Sequence, residues 1–469
     1  MGRADALPPI IQGGMGVAVS DWKLAYAVSS AGGLGVVSGT ALDAVLARRL
    51  QNGDDGGHMR RALAAFPYPD VTQELLAKYF LEGGRNGKPY RPIPKTTLER
   101  NRDHEILSVA ANFCEVWLAR QAGGYVGINF LTKLQMATPA AMYGAMLAGV
   151  DAVLMGAGIP REIPRLMDDF AAGRPGSVTV DSILAEGIAT PSVTFDPLLT
   201  FGTAPELPRP AFLAIVTGET LAAYLAKQVE TRPDGFVVEH WRAGGHNAPP
   251  RRMQDTESGF GPLDEVNLEK MANVGLPFWL AGGRATGTTY RDALANGAKG
   301  VQIGSLFAMS TDSGLRDDLR AQMLDLARRN ELVVRTDHRA SPTGFPFKVV
   351  DVVGTIGNRP TYEARPRLCD LSYLRTPKID HEGRTRYVCA SEPENKYLDK
   401  GGDPADLVDR QCLCNGLMAA IGLGQERADG YHEAPLLTLG SSTNEVAEML
   451  RLFPNGWTAA DLVQTLLDA

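Results

Sequence analysis

"LAGGRATGTTYRDALANGAKGVQIGSLF", residues 280–307, decides the fold. An apolar run, "PFWLAGG" (277–283), ends on paired glycines. A helical pattern follows over Tyr290–Asn296, and a second apolar run, "GVQIGSLF" (300–307), comes after it. Strand, helix and strand in so short a stretch predict two parallel strands joined by a crossover helix.

Working outward, the same kind of run recurs. It appears at "PIIQGGMG" (9–16), "LGVVSG" (34–39), "YVGINFL" (125–131), "AVLMGAG" (152–158), "FLAIVTG" (212–218) and "GFVVEHW" (235–241), eight runs in all. Helical patterns follow at Trp22–Ser30, Ala137–Ala148 and Glu219–Val229. Near-continuous apolar strands alternating with helices predict a parallel sheet covered on both faces. Eight such units predict an α/β protein with a (β/α)8 TIM barrel rather than an open sheet. Residues 161–211 could hold a further strand.

Two segments fall outside the repeat. Residues 42–122 are charged and helical in pattern, and read as an insertion after the second strand and a candidate lid. Residues 336–469 read as a C-terminal extension with a Cys-containing hairpin and helices. The barrel is then expected from 1–41 and 123–335.

Composition agrees with a soluble globular protein. The 469 residues are 44% hydrophobic and 22% charged, which is ordinary for such a chain. A net charge of −7 disfavours nucleic acid as a partner. No apolar run reaches a membrane span, and "MGRADALPPI" lacks the apolar centre of a signal peptide, so a cytoplasmic protein is expected. Oligomeric state is not legible. There is no G-x-G-x-x-G, H-E-x-x-H, P-loop or G-x-S-x-G.

The 51 glycines are the informative count, because many close the apolar runs. In a barrel of this type the active site lies at the C-terminal ends of the strands. Gly13–Gly16, Gly39, Asn129, Gly156–Gly158, Gly244–His246, Gly282–Arg284 and Gly304–Ser305 would then share one rim. The loops "LAGGRATG" and "IGSLF" present backbone N–H groups suited to a phosphate dianion.

"PPIIQGGMG", "VGINF", "AGGH", "LAGGRATGTTYRDALANGAKGVQIGSLF" and "SPTGFPFK" together resemble the nitronate monooxygenases, also known as 2-nitropropane dioxygenases. FMN-dependent enoyl reductases share that superfamily, including subunits of polyunsaturated fatty acid synthases. The resemblance runs from about residue 9 to 350, without 42–122 and much of 160–210. It implies FMN as cofactor. Gly14 and Met15 would lie near the flavin ring, and Asn129 would hydrogen-bond the ring or ribityl region. Gly244 and Gly245 would admit the cofactor. Gly282, Gly283, Gln302, Gly304 and Ser305 would hold its phosphate. Glu239 stands where the family commonly has Gln, and His246 matches the family's active-site histidine. Arg242 replaces an acid common in relatives, and His240 and Trp241 also depart from the pattern. Arg242 is thus a candidate substrate ligand, since a guanidinium fork suits two oxygens. Its alternative is an ion pair with a neighbouring acid.

Imidazole ordinarily titrates near neutrality, so His246 is read as the base that handles the α-proton of a nitroalkane or nitronate, with O2 as co-substrate. In an enoyl-thioester reductase the same histidine would protonate the α-carbon, with NAD(P)H as reductant. A third reading is a flavin-binding interaction protein without turnover. A dehydrogenase of the inosine monophosphate type needs a rim cysteine, and the only cysteine before residue 369 is Cys114, in the insertion. Cys369, Cys389, Cys412 and Cys414 are grouped near a hairpin expected to turn at "DHEG" (380–383). Four thiolates could bind Zn²⁺ or an iron–sulfur cluster, although C-x-C is tighter than usual. Four buried thiols packing a hairpin on a helix is the alternative.

Overall fold

The computed structural model describes residues 2–469. Eight parallel strands form its main sheet: β1 Ile10–Gln12, β2 Gly35–Ser38, β3 Val126–Leu131, β4 Ala152–Gly156, β5 Ala211–Val216, β6 Gly235–Glu239, β7 Phe278–Ala281 and β8 Gly300–Ile303. They coincide with the eight apolar runs of the sequence. Strand β1 pairs with β8, and pairing continues through neighbouring strands to β2. Each strand lies between the ones that precede and follow it along the chain, as in a (β/α)8 barrel.

The seam between β1 and β2 is the thinnest part of the wall. It carries one parallel bridge, Ile11 to Leu34. Leu34 N–H donates to the Ile10 carbonyl, and Gln12 N–H to that of Leu34. Beyond that point the Gln12 side chain takes over. Its Nε2 donates to Val36 O at 2.9 Å, and its Oε1 accepts from Val36 N at 2.9 Å. An amide side chain has the same donor and acceptor pair as a peptide, so Gln12 completes the ladder where the backbones diverge.

Alternation along the strands explains their apolar character. Ile11, Val36, Leu154, Leu213, Val237 and Trp279 fill the barrel interior with Leu34 and Ala281. Their neighbours Ile10, Val37, Val153, Phe212, Phe236 and Phe278 face the helices. Both faces are buried, so both sets must be apolar. Trp279 closes the N-terminal end, its Nε1 donating to Pro8 O at 3.0 Å.

The segment after β2 is helical, at Leu42–Gln51, His58–Ala64, Pro69–Tyr79 and Arg102–Arg120. The last of these packs most extensively on the helix Thr138–Leu147. Residues 161–211 do contain strands, but outside the barrel. Gly176–Thr179 pairs antiparallel with Ser192–Phe195, and Ile183–Leu184 lies beside Thr376–Ile379. Near the C-terminus, Thr376–Ile379 and Thr385–Val388 form an antiparallel hairpin around Asp380–Arg384. Arg365 and Glu433 form a buried bidentate pair that holds this part together. Among the described residues no helix is long and apolar enough to cross a membrane.

Candidate active site

A two-lobed cavity opens at the C-terminal rim. The first lobe has about 820 Å³ of empty space and the second about 930 Å³, both counted to their open mouths. Gly14, Gly16, Glu239, Gly244, Gly245 and Thr438 line both lobes.

The first lobe is built from glycines and backbone. Gly282, Gly283, Gln302, Gly304 and Ser305 meet there with Met15 and Arg242. The N–H groups of Gly282, Gly283, Arg284, Gly304 and Ser305 find no acceptor among the described residues. Gln302 Oε1 is buried and unpartnered. Gly282 and Gly283 have φ of +88° and +70°, where an L side chain is strained. The next N–H, of Ala285, donates to Glu445 Oε1 at 2.9 Å, and burial raises the pKa of that carboxyl.

Arg242 sits in this glycine lobe and not in the lobe that holds His246. Its guanidinium lies 5.2 Å from the Trp241 ring, and no carboxylate among the described residues is within ion-pair distance of it. The ion-pair alternative is therefore not realised. His240 is engaged on both ring nitrogens. Nδ1 accepts from Arg242 N at 3.1 Å, which leaves Nε2 to donate to Glu265 at 2.9 Å.

The second lobe is built from side chains. Asn129 and His246 share it with Phe130, Leu131, Leu134, Ile215, Phe347, Tyr373, Leu413 and Leu417. His246 Nε2 lies 2.8 Å from Ser341 Oγ, and its ring packs edge-on to Phe347. Nδ1 has no partner among the described residues. Burial lowers its pKa to about 4, helped by the nearby Lys133 ammonium. Titration near neutrality, expected for imidazole, is thus not what this site gives. Glu239 moves the other way. Half-buried and with no hydrogen-bond partner among the described residues, it has a pKa raised by desolvation to about 8, so at pH 7 the protonated carboxyl predominates and can donate as a Gln amide would.

Gly244 is required for a different reason from the one its sequence suggests. A Cβ there would come within 2.9 Å of Leu439 C and 3.0 Å of Gly440 N. The neighbour that demands this glycine is therefore the chain's own segment 438–445. Gly245 N donates to Thr438 Oγ1 at 2.8 Å, Ser441 N to Arg242 O, and Gly440 N to Ser305 Oγ at 2.8 Å. This strap crosses the rim and supplies Thr438, Leu439, Gly440, Ser442 and Glu445 to the glycine lobe. Gly245 has open space beyond its Cα but φ of +78°. Gly14 packs on Asn129, whose Cβ would lie 2.3 Å from an added Cβ.

Sequence reasoning misses the strap and Tyr373. The one available signal, Ser442-x-x-Glu445, has the form of a helix capping box. Ser442 caps nothing with its side chain, and Glu445 reaches the barrel instead. The cysteines are free thiols, and no group of three or more His, Cys, Asp or Glu side chains among the described residues is placed to hold a metal.

Residues 178–343 match the family model described as nitronate monooxygenase. Over that segment the chain is similar to the FMN-dependent nitronate monooxygenases, and it is accordingly a flavin-dependent oxidoreductase. The match takes in "AGGH" and both glycine-rich loops but leaves out the motifs at 9–16 and 125–131. Among solved structures, FabK from Thermotoga maritima is similar over 100% of this chain and 95% of its own, at 16% identity and a TM-score of 0.50. A nitroalkane oxidase from Streptomyces ansochromogenes is similar over 99% and 96%, at 16% identity and a TM-score of 0.48. The former likeness speaks for the fold alone. No curated protein matches the chain.

The glycine lobe fits an FMN phosphate by its own chemistry. Five N–H groups without an acceptor among the described residues line it together with the unpaired Arg242 guanidinium.

Proposed function

We propose that this flavin-dependent oxidoreductase oxidises nitronates with O2. Gly282, Gly283, Gly304 and Ser305 would hold the FMN phosphate, with Arg242 as counter-ion and Gln302 beside them. Asn129, Met15, Gly14 and the neutral Glu239 would meet the rest of the cofactor. Bound FMN would supply the electron acceptor for the substrate carbon.

The observation that carries the reading is the placement of His246, held by Ser341 at 2.8 Å in a largely apolar lobe. A conjugate acid near pH 4 makes it a weak base. A nitronate arrives without its α-proton and needs no strong base. The hydrogen-bond network accommodates a ring tautomer that suits. Ser341 Oγ accepts from Thr343 N–H at 3.2 Å and lies 2.7 Å from Thr343 Oγ1, and it can donate its own proton to His246 Nε2. Nδ1 then carries the ring proton and can donate it to a nitronate oxygen. A neutral imidazole held as a donor is an established way to stabilise developing oxyanion charge. Lys133 adds a positive field that favours an anion. Around this polar point Leu131, Leu134, Ile215, Leu413 and Leu417 would take the alkyl group.

The test is anaerobic mixing of the FMN-loaded protein with an alkyl nitronate and, separately, with NADPH. Bleaching of the flavin by nitronate alone is expected. Rapid bleaching by NADPH with reoxidation by an enoyl thioester would replace this reading with the reductase.

A further inference from the structure

The glycine lobe holds two guanidinium groups in different states. Arg284 is paired with Asp292 at 3.0 Å. Arg242 has no such acid, yet its side chain lies against the same turn, with Cδ 3.7 Å from where a Cβ on Gly283 would stand. What holds it is the indole next to it in the chain. The guanidinium carbon is 5.2 Å from the centre of the Trp241 ring, inside the roughly 6 Å reach of a cation–π contact. The indole is itself fixed by residues from other segments. Phe260 stacks on it, with ring centres 5.5 Å apart and planes at 6°, and the His240 ring leans on it at 5.0 Å. The Lys348 ammonium is wholly buried, donates to Thr336 and lies 5.4 Å from the same ring. The backbone is pinned as well. Arg242 N–H donates to His240 Nδ1 at 3.1 Å, and Arg242 O accepts from Ser441 N–H at 2.9 Å. An acid would cancel much of the cation's field, whereas an aromatic face holds a cation and leaves its charge whole.

We propose that Trp241 is the platform that keeps the Arg242 guanidinium unpaired and in place at the glycine lobe, so that the lobe selects a flavin with a terminal phosphate over the same flavin without one. The inference rests on the reading of that lobe as the phosphate site. Backbone N–H groups donate to a hydroxyl oxygen as well as to a phosphate oxygen, so alone they distinguish the two poorly. The guanidinium distinguishes them, because its attraction follows the charge of the dianion and its fork spans two phosphate oxygens. Paired with an acid it would lose both advantages. Loose in solvent it would lose side-chain freedom on binding. The indole restricts it beforehand, and such preorganisation lowers the cost of association. Trp241 lines the small cavity on the far side of Glu239 rather than the glycine lobe itself. It is therefore a positioning residue that acts through Arg242.

The test is the affinity of the apo-protein for FMN and for riboflavin, which lacks the phosphate, read by quenching of flavin fluorescence. Arg242→Ala should weaken FMN about tenfold or more, as loss of a charge-assisted hydrogen bond does, and leave riboflavin within about twofold. Trp241→Leu should weaken FMN about threefold or more, as loss of a partly exposed cation–π contact does, and riboflavin by less than about twofold. Added to Arg242→Ala, the same substitution should change neither affinity by more than about twofold, because the partner it acts through is gone. Trp241→Phe keeps a smaller aromatic face and should fall between wild type and the leucine variant. Trp241→Met, with melting temperatures measured alongside, serves if the leucine variant folds poorly. Equal weakening of both flavins by Trp241→Leu, or further loss of FMN when it is added to Arg242→Ala, would overturn the platform. A wild-type preference for FMN in Arg242→Ala would sink the role of Arg242 at the phosphate, and the platform with it. No substrate enters the measurement, so its outcome is independent of whether nitronate bleaches the flavin.

Discussion

The two lobes of the cavity do opposite things with the same rim. The glycine lobe uses backbone N–H groups, from residues close together in sequence at the ends of β7 and β8. The His246 lobe uses side chains drawn from the ends of β3, β5 and β6, from the segment after β2 and from the C-terminal part of the chain. A phosphate can be met by any peptide with the right turn, so its site needs little beyond glycine. A substrate must be met by shape and by placed hydrogen bonds, so its site recruits distant residues.

The largest expected effect separates the lobes outright. His246→Ala should lose on the order of 10²-fold or more in nitronate turnover, the usual penalty for removing one donor to developing oxyanion charge. It should keep its yellow FMN, because His246 lies outside the glycine lobe. Wild-type turnover should show no inflection near pH 6.5, since the imidazole is already neutral above about 4. Apo-protein from His246→Ala would show instead that the two lobes are one binding unit.

That division also decides how much is legible in the sequence. Strands bury both faces, so their apolar runs stand out, and all eight barrel strands can be read from them. The glycine loops are contiguous and carry their chemistry in the backbone, so Gly282, Gly283, Gly304 and Ser305 group together on sequence alone. The strap is invisible there because Leu439 and Gly440 have no distinctive chemistry. They matter through contact with Gly244 and Ser305, both far away in the chain. Tyr373 is likewise brought to the His246 lobe by tertiary packing alone. Arg242 stands out in the sequence but reads as a substrate ligand, because its loop precedes His246. The turn at Gly244–Gly245 sends the two side chains to different lobes.

An intermediate effect comes from the adjacent glycines. Gly244→Ala pushes a methyl group against the backbone of Leu439 and should cost about 1–3 kcal/mol, as overpacking does. Its signature is a loosened strap, read as faster FMN loss and protease cleavage near Thr438–Ser442. Gly245→Ala meets open space and pays about 1–2 kcal/mol only for its left-handed backbone. It should lower the melting temperature without speeding FMN release. Equal FMN release from both variants would mean that the strap does not guard the glycine lobe.

The smallest effect tests Glu239, which lines both lobes. Its folded pKa is raised to about 8, whereas an unfolded carboxyl titrates near 4.3. Between those values the folded apo-protein holds a proton that the unfolded chain has released. Stability therefore falls as pH rises through that window, and the loss stops once the folded carboxyl ionises too. Glu239→Gln removes the titration and keeps a donor in place. The variant's melting temperature should match wild type near pH 4.5 and exceed it by about 2 °C or more at pH 8, since each kcal/mol moves a large domain by a few degrees. A constant difference across that range would mean that Glu239 ionises in the cavity at ordinary pH. The carboxylate would then repel the electron-rich edge of a flavin. Gln, which the resemblance leads one to expect at this position, would be the better residue for the cofactor.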